Sequence, residues 1–319
     1  MPPQKYAAFC RMGALRTTPE YTHTLPHFSQ NIFHYVKKAE NRSFILKLPK
    51  NCDTIPSERS EMYMLLTADI GNTNIKFGIF NQRELIRTLT ISCNKAKTAD
   101  EYGVELYSLI RVMGIHRDDF SGCIISSVVP LITTRIEDAV RDILGVDSII
   151  VGPGVKTGLN ICIDDPSTLG ADLVCACVAA NAYNKPPMIV ISMGTATVWC
   201  VIDQHGNMIG CPIAPGMSVS LEALTKNTAL LQGVDFSAPS SVIGKNTDKS
   251  IRAGVVWGTV CMIDGMIDRI EKELGQKCHV IATGGLAKTI VEHCEHKIDL
   301  HENLILNGLC RIYEKNVKR

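Results

Sequence analysis

The sequence predicts an α/β fold built twice over, two similar halves around a cleft, and three observations carry that expectation. Apolar runs at strand spacing alternate with longer helical patterns from Met64 onward. The chain also repeats itself. A shift of 123 residues lays Asp69-Ile70-Gly71-Asn72-Thr73-Asn74 on Ser192-Met193-Gly194-Thr195-Ala196-Thr197, and the alignment runs without a gap through Ile86 on Ile209. Finally, 319 residues with 45% hydrophobic and 20% charged content are ordinary for a globular chain and enough for two domains.

The elements follow in order. Leu65–Asp69 reads as a buried strand, Ile75–Phe80 as a second and Glu84–Ile91 as a third, with Asn81-Gln82 as the turn between the last two. Helical patterns cover 99–113 and 131–144, with a strand at 123–129 between them, and a helix over 169–184 closes the half. Pro186-Pro187 marks the boundary. The second half opens with strands at 188–192, 195–203 and 207–212. Helices at 219–228 and 249–274, a strand at 280–283, and helices at 286–293 and 303–314 complete it. The expected domains are therefore 64–185 and 186–319, and the cleft between them is the default ligand site. Residues 1–63 lack a sustained period and carry nine basic against five acidic side chains. They read as a poorly ordered extension or a start-site error, with Met62 and Met64 as alternative starts.

Composition removes several function classes. A net charge of +1 and the lack of a basic stripe speak against nucleic acid as a partner. No uninterrupted apolar run reaches the roughly 18–20 residues of a membrane span, and residues 1–63 lack the apolar core of a secretory signal. The 13 cysteines include no C-x-x-C pair. They read as reduced, largely buried thiols of a cytoplasmic protein rather than a zinc site.

A strand ending in D-x-G-N-T-N and turning into another strand is suited to phosphate. Gly71 allows close backbone approach, and amides from Gly71 to Asn74 can form an anion-binding nest. Asp69 can hold Mg²⁺ directly or through water. Lys76 adds positive charge, though a solvated strand lysine reads the same way. Gly194-Thr195-Ala196-Thr197 supplies a second turn to grip a nucleotide from the other side. Thr283-Gly284-Gly285-Leu286-Ala287 is a third glycine turn, which alone reads as a plain strand-to-helix connection. Neither Gly154-Val155-Lys156-Thr157-Gly158 nor Gly244-Lys245-Asn246-Thr247 has Walker A spacing. Asp172, in Gly170-Ala171-Asp172 at a helix start, is the candidate base. An acid in a first helical turn is also simply favoured by the helix dipole.

At these residues the chain resembles the type III pantothenate kinases, over about Met64 to Asn316. The matching motifs, in order, are 69–74, Ser126-Ser127-Val128-Val129-Pro130, 154–159, 170–172, 194–197, Ala214-Pro215-Gly216, 220–224, 243–247 and 282–287. The resemblance implies the actin-like/ribonuclease H-like fold shared by acetate kinase, sugar kinases, Hsp70 and actin. It implies ATP-dependent phosphorylation of pantothenate, the first step of coenzyme A synthesis, in a homodimer using Mg²⁺ or a similar divalent ion and K⁺ or NH4⁺. By motif position, Asp69, Ile70, Gly71, Asn72, Thr73, Asn74, Ile75 and Lys76 would hold the ATP phosphates and Thr195 would contact ATP. Asp172 would accept the proton of the substrate hydroxyl, and Gly170, Ala171 and Thr247 would contact pantothenate.

Three positions depart from the family pattern. Ser192 stands where an Asp binds the monovalent cation, Leu173 where an Arg follows the base, and Ile163 where a Tyr offers the substrate a hydroxyl. A neutral oxygen at Ser192 weakens a cation site. Leu173 forfeits a charged hydrogen bond worth about 1.5–3 kcal/mol unless Lys156, Lys226 or Lys245 compensates. Two alternatives to a pantothenate kinase therefore stay open: a nucleotide-binding regulator without turnover, and a kinase for another small hydroxyl compound.

Overall fold

A computed structural model describes residues 64–226 and 236–317. The expected extension at 1–63 lies outside the described residues. Five strands open the fold: β1 (Met64–Ile70), β2 (Asn74–Asn81), β3 (Glu84–Ser92), β4 (Phe120–Ser127) and β5 (Ser148–Ile150). They form one sheet in the order β3-β2-β1-β4-β5. The first three are an antiparallel meander, whereas β4 and β5 run parallel to β1. Parallel neighbours need crossovers, and α1 (Ala99–Val112) and α2 (Pro130–Leu144) supply them. Thr98 and Glu101 cap α1 reciprocally: the Thr98 amide donates to Glu101 Oε2 at 2.7 Å and the Glu101 amide to Thr98 Oγ1 at 3.3 Å. Pro130 starts α2, and Gly145 ends it in the left-handed region at φ 71°.

The short strand β6 (Asn160–Ile161) and helix α3 (Ala171–Tyr183) come next. The second sheet then repeats the first. Its strands are β7 (Met188–Met193), β8 (Ala196–Ile202), β9 (Asn207–Gly210), β10 (Ile213–Pro215), β11 (His279–Thr283) and β12 (Ile298–Leu300). The path β12-β11-β7-β8-β9 has the topology of β5-β4-β1-β2-β3, with β6 added beside β9 and β10 pairing β8. Helices α4 (Met217–Lys226), α5 (Thr247–Leu274) and α6 (Ala287–Val291) are associated with this sheet, and α7 (Leu304–Asn316) ends the described chain. Helix α5 starts earlier than its apolar period because the Asn246 side chain accepts from the Lys249 amide at 2.9 Å. By length and composition alone α5 could cross a membrane, yet Val256, Val260, Ile263 and Ile267 are buried in a core cluster with Ile189, Ile191 and Trp199 of the second sheet.

Strand alternation sorts the side chains into layers. Leu66, Ala68 and Ile70 pack with α1 and α2. Leu65, Phe80 and Ile124 turn the other way and join Met188, Val190, Cys200 and Ile202 of the second sheet in one cluster with α3 and α7. Thus α3 and α7 are a shared middle layer. The apolar run Leu173–Ala180 has no polar face because neither side of α3 meets water. Helix α7 approaches so closely that a Cβ on Gly308 would lie 1.9 Å from the Cys175 carbonyl oxygen. The strands that the sequence pattern misses, β5, β6, β10 and β12, are two or three residues long, too short to show a period.

Candidate functional site

The site begins where β1 ends. Antiparallel register sets Asp69 opposite Lys76 on β2, and parallel register sets it beside Ser126 on β4. Paired residues share a face, so all three belong to the side of the sheet that meets the middle layer. Between β1 and β2 the chain reverses through Gly71, whose amide donates to the Asn74 carbonyl at 3.0 Å, while the Thr73 carbonyl accepts from Cys93 at 2.8 Å. The Gly71 amide is therefore spent inside the turn. Among the described residues, the amides of Asn72 and Thr73 have no recorded hydrogen-bond partner, and both residues are exposed. The expected four-amide nest reduces to these central donors. Ile70 and Ile75 are fully buried and anchor the turn rather than contact a ligand through their side chains.

Asp172 sits in the first turn of α3, behind Gly170 as N-cap. A Cβ on Gly170 would fall 2.4 Å from Asp172 Oδ1, so the glycine makes room for this carboxylate. Burial raises the Asp172 pKa, and the backbone amides of Leu173 and Asp172 itself act the other way. Asp69 is pushed up to about 7, by burial first and then by the neighbouring Asp172, while Ser126 and Lys76 oppose the shift. Two carboxylates from different elements thus converge with too little positive charge between them. The Lys76 ammonium donates to the Glu302 carbonyl at 2.8 Å, which ties β2 to the loop before α7. Burial lowers the Lys76 pKa, and Glu302 and Asp69 raise it.

The second sheet presents a corresponding turn. The Gly194 amide donates to the Ala196 carbonyl at 3.0 Å, and the Gly216 amide donates to the Thr195 carbonyl at 2.9 Å. A Cβ on Gly216 would lie 2.1 Å from the Gly194 carbonyl oxygen, so this loop is pressed against the turn. Thr195 itself is exposed. Ser192, one residue before the end of β7, is in register with Thr283 on β11. The Gly284 turn, at φ 113°, packs on the Met193 backbone.

The other positions singled out from sequence scatter further. Ala171 is half-buried at the start of α3 and Ile163 packs against the middle layer. Leu173 is buried in that same apolar cluster, which leaves its side chain facing core residues. Thr247 starts α5 and lines a groove of about 620 Å³ with Ser220 of α4 and Gly254 and Gly258 of α5, a groove that includes neither carboxylate. Lys156 and Lys245 are exposed, and the Lys226 side chain lies outside the described residues. Sequence reasoning missed Ser126 as a neighbour of Asp69, although its motif was visible; only strand register reveals the pairing.

Eleven cysteines are described, five of them buried and Cys162 and Cys261 exposed. Away from the site, Asp268, Glu271 and His296 are spaced closely enough to hold a metal ion. Their atoms already pair within the protein: His296 lies 2.9 Å from Asp264 and 3.2 Å from Asp268, and Glu271 accepts from Lys277 at 2.6 Å and from the Cys278 amide at 2.9 Å.

The sequence profile of the type III pantothenate kinase family matches residues 65–269. A protein of Exiguobacterium sp. strain AT1b bearing that family name is 40% identical over 255 residues, covering 80% of this chain and 100% of its own. A second, from Pelobacter propionicus, is 40% identical over 253 residues, covering 79% and 100%. Among solved structures, a protein assigned as a 2-dehydro-3-deoxygalactonokinase from Sinorhizobium meliloti has a TM-score of 0.52 at 12% identity, covering 80% of this chain and 98% of that one. At that identity the likeness speaks to fold alone. Together with the repeated sheet topology it gives the duplicated actin-like fold.

Proposed function

The chain belongs to the type III pantothenate kinase family, and from that premise we propose that it transfers the γ-phosphoryl group of ATP to the hydroxyl of pantothenate. The products are ADP and 4'-phosphopantothenate, the first intermediate of coenzyme A synthesis. The observation that carries the reading is the convergence of Asp69 and Asp172 beside the glycine turn at 71–74.

Each group has a physical task. The turn amides and the N-terminal end of α3 offer positive dipole to the phosphates. Asp172 accepts the hydroxyl proton as the acceptor oxygen bonds to γ-phosphorus and the bond to the β-phosphate oxygen breaks. A base so placed is worth about 10²–10⁴-fold, and the rest of the acceleration comes from alignment and charge neutralisation. The donor set fits a divalent ion: hard oxygen ligands, a carboxylate whose pKa burial first and then the neighbouring Asp172 push up, and an unpartnered buried hydroxyl at Ser126. Asp69 would hold Mg²⁺ directly or through water. When bound, the ion supplies positive charge to the phosphate oxygens.

Finer features belong to the same proposal. Thr195 grips the nucleotide from the second sheet, and Gly170, Ala171 and Thr247 contact pantothenate, with Ile163 making that pocket more apolar, while Leu173 faces the apolar middle layer and supplies no charge to it. Ser192 offers a neutral oxygen, so turnover proceeds with little or no requirement for K⁺ or NH4⁺. The chain works as a cytoplasmic homodimer of domains 64–185 and 186–319, without nucleic acid or membrane partners. Support for the dimer comes from the open space over Gly254 and Gly258 on α5 and the exposure of Val242 and Ile243.

Mass spectrometry of the full chain with ATP, Mg²⁺ and pantothenate tests the reading, beside Asp172→Asn. Phosphopantothenate from the wild type and its loss in the variant is the expected result. A folded protein that binds ATP yet forms no product would overturn it, and would favour a regulator or a different hydroxyl acceptor.

A further inference from the structure

Ser126 is a polar side chain whose role no established function explains. It is fully buried, and its hydroxyl has no hydrogen-bond partner. Leaving a buried hydroxyl unpaired costs about 1–3 kcal/mol, so a lone serine at such a place calls for a reason. Its position is fixed by strand register: it is the parallel partner of Asp69, one residue from the end of the β1–β4 pairing at Ile70 and Ser127, on the face that meets α3. The hydroxyl is near enough to Asp69 to favour its ionised form, and near enough to the buried Cys175 thiol one turn after Asp172 to affect it too. It still lacks good hydrogen-bond geometry with either. Hydrogen bonds that are long or poorly aligned are common in ligand-free sites and tighten when the ligand arrives.

The duplication sharpens the point. Thr283 stands to Ser192 in the second sheet as Ser126 stands to Asp69 in the first, by the same parallel register. Both strand pairs therefore end in a hydroxyl beside the ligand-facing position, and only the first also carries a carboxylate.

We propose that Ser126 is a positioning residue, whose hydroxyl holds the Asp69 carboxylate in the orientation that receives the divalent ion and the nucleotide phosphates. The inference rests on the kinase reading, but its test does not depend on pantothenate being the acceptor.

Mn²⁺ binding to the full chain with a non-hydrolysable ATP analogue, followed by electron paramagnetic resonance of the free ion, reads the effect. Ser126→Ala is expected to weaken Mn²⁺ about tenfold or more, the scale of one hydrogen bond to a charged group. Its ligand-free melting temperature should hold or rise, because an unpaired hydroxyl has been removed. Its kcat should fall while KM for pantothenate holds, and Ser126→Thr, which keeps the hydroxyl, should retain Mn²⁺ affinity. Wild-type Mn²⁺ affinity in Ser126→Ala would overturn the inference. So would a lowered melting temperature with binding intact, the mark of a purely structural serine, or a Thr variant as weak as Ala. If the wild type binds Mn²⁺ through Asp69 but phosphorylates no pantothenate, the acceptor assignment fails and the Ser126 comparison still decides this one.

Discussion

Gly170→Ala is the most direct probe of how the fold aims Asp172, the proposed base. The added Cβ would sit 2.4 Å from Asp172 Oδ1, with the next nearest atoms at 3.6 Å on the same side chain and 3.9 Å on Leu173. Ordinary contact requires about 3.4 Å or more, so the carboxylate must retreat by about 1 Å. A misplacement of that size costs on the order of 10²-fold in rate. Stability should move little. The backbone at 170, φ −57° and ψ 137°, is open to alanine, and the gain from a stiffer unfolded chain, about 0.4–1 kcal/mol, offsets the poorer N-cap. The assay is steady-state kcat and KM with thermal melts, for Gly170→Ala alone and combined with Asp172→Asn. If the glycine acts through Asp172, its effect vanishes in the double variant. An unchanged kcat, or a full additive loss on top of Asp172→Asn, would refute the reasoning.

Three further outcomes are expected. Ser192→Asp should create or strengthen stimulation by K⁺, seen as a difference in rate with and without the ion; no gain would remove Ser192 from the cation position. In metal-free buffer, Asp69 binds its proton more tightly folded, with a pKa of about 7, than unfolded, with the ordinary carboxylate value of 3.8. Stability from this group is then highest at low pH and falls as pH rises between those values, by at most about 1.4 kcal/mol per pH unit. Asp69→Asn should flatten that part of the melting profile, and an unaltered slope would contradict it. Thr98→Ala should cost about 1 kcal/mol through loss of the α1 capping box and leave kcat untouched, since Thr98 is remote in function; a loss of activity at full stability would show otherwise.

Much of this architecture was legible because it obeys local rules. The opening strands announce themselves by dense apolar runs, and the repeat at 123 residues lays turn upon turn. What stayed hidden depends on long-range pairing. β5 and β12 have three residues each and exist only because parallel neighbours recruit them. Leu173 follows the base in sequence, which suggested a ligand contact, but the helical turn carries its side chain into the apolar middle layer. Gly71 reads as a conformational device, yet its φ is ordinary; the demand falls instead on Gly284, at φ 113°. Asp172, the proposed base, stands in a visible motif, whereas its approach to Asp69 required two elements, β1 and α3, to be brought together in space.

The same duplication explains where chemistry and binding divide. Each sheet ends its first strand at a glycine turn, and each turn closes with an amide spent on a carbonyl two or three residues ahead. Folding alone therefore demands the turn in both halves. It does not demand a carboxylate, and the two ends differ there: Asp69 faces Asp172 across a site short of positive charge, while Ser192 is neutral. Retaining two repelling buried acids costs stability, and the repulsion is relieved when cations arrive with phosphate. A neutral Ser192 incurs no such cost and attracts no such partner. On the proposed function, the first sheet is the one whose repulsion the substrate would relieve, and the second would hold the nucleotide by shape.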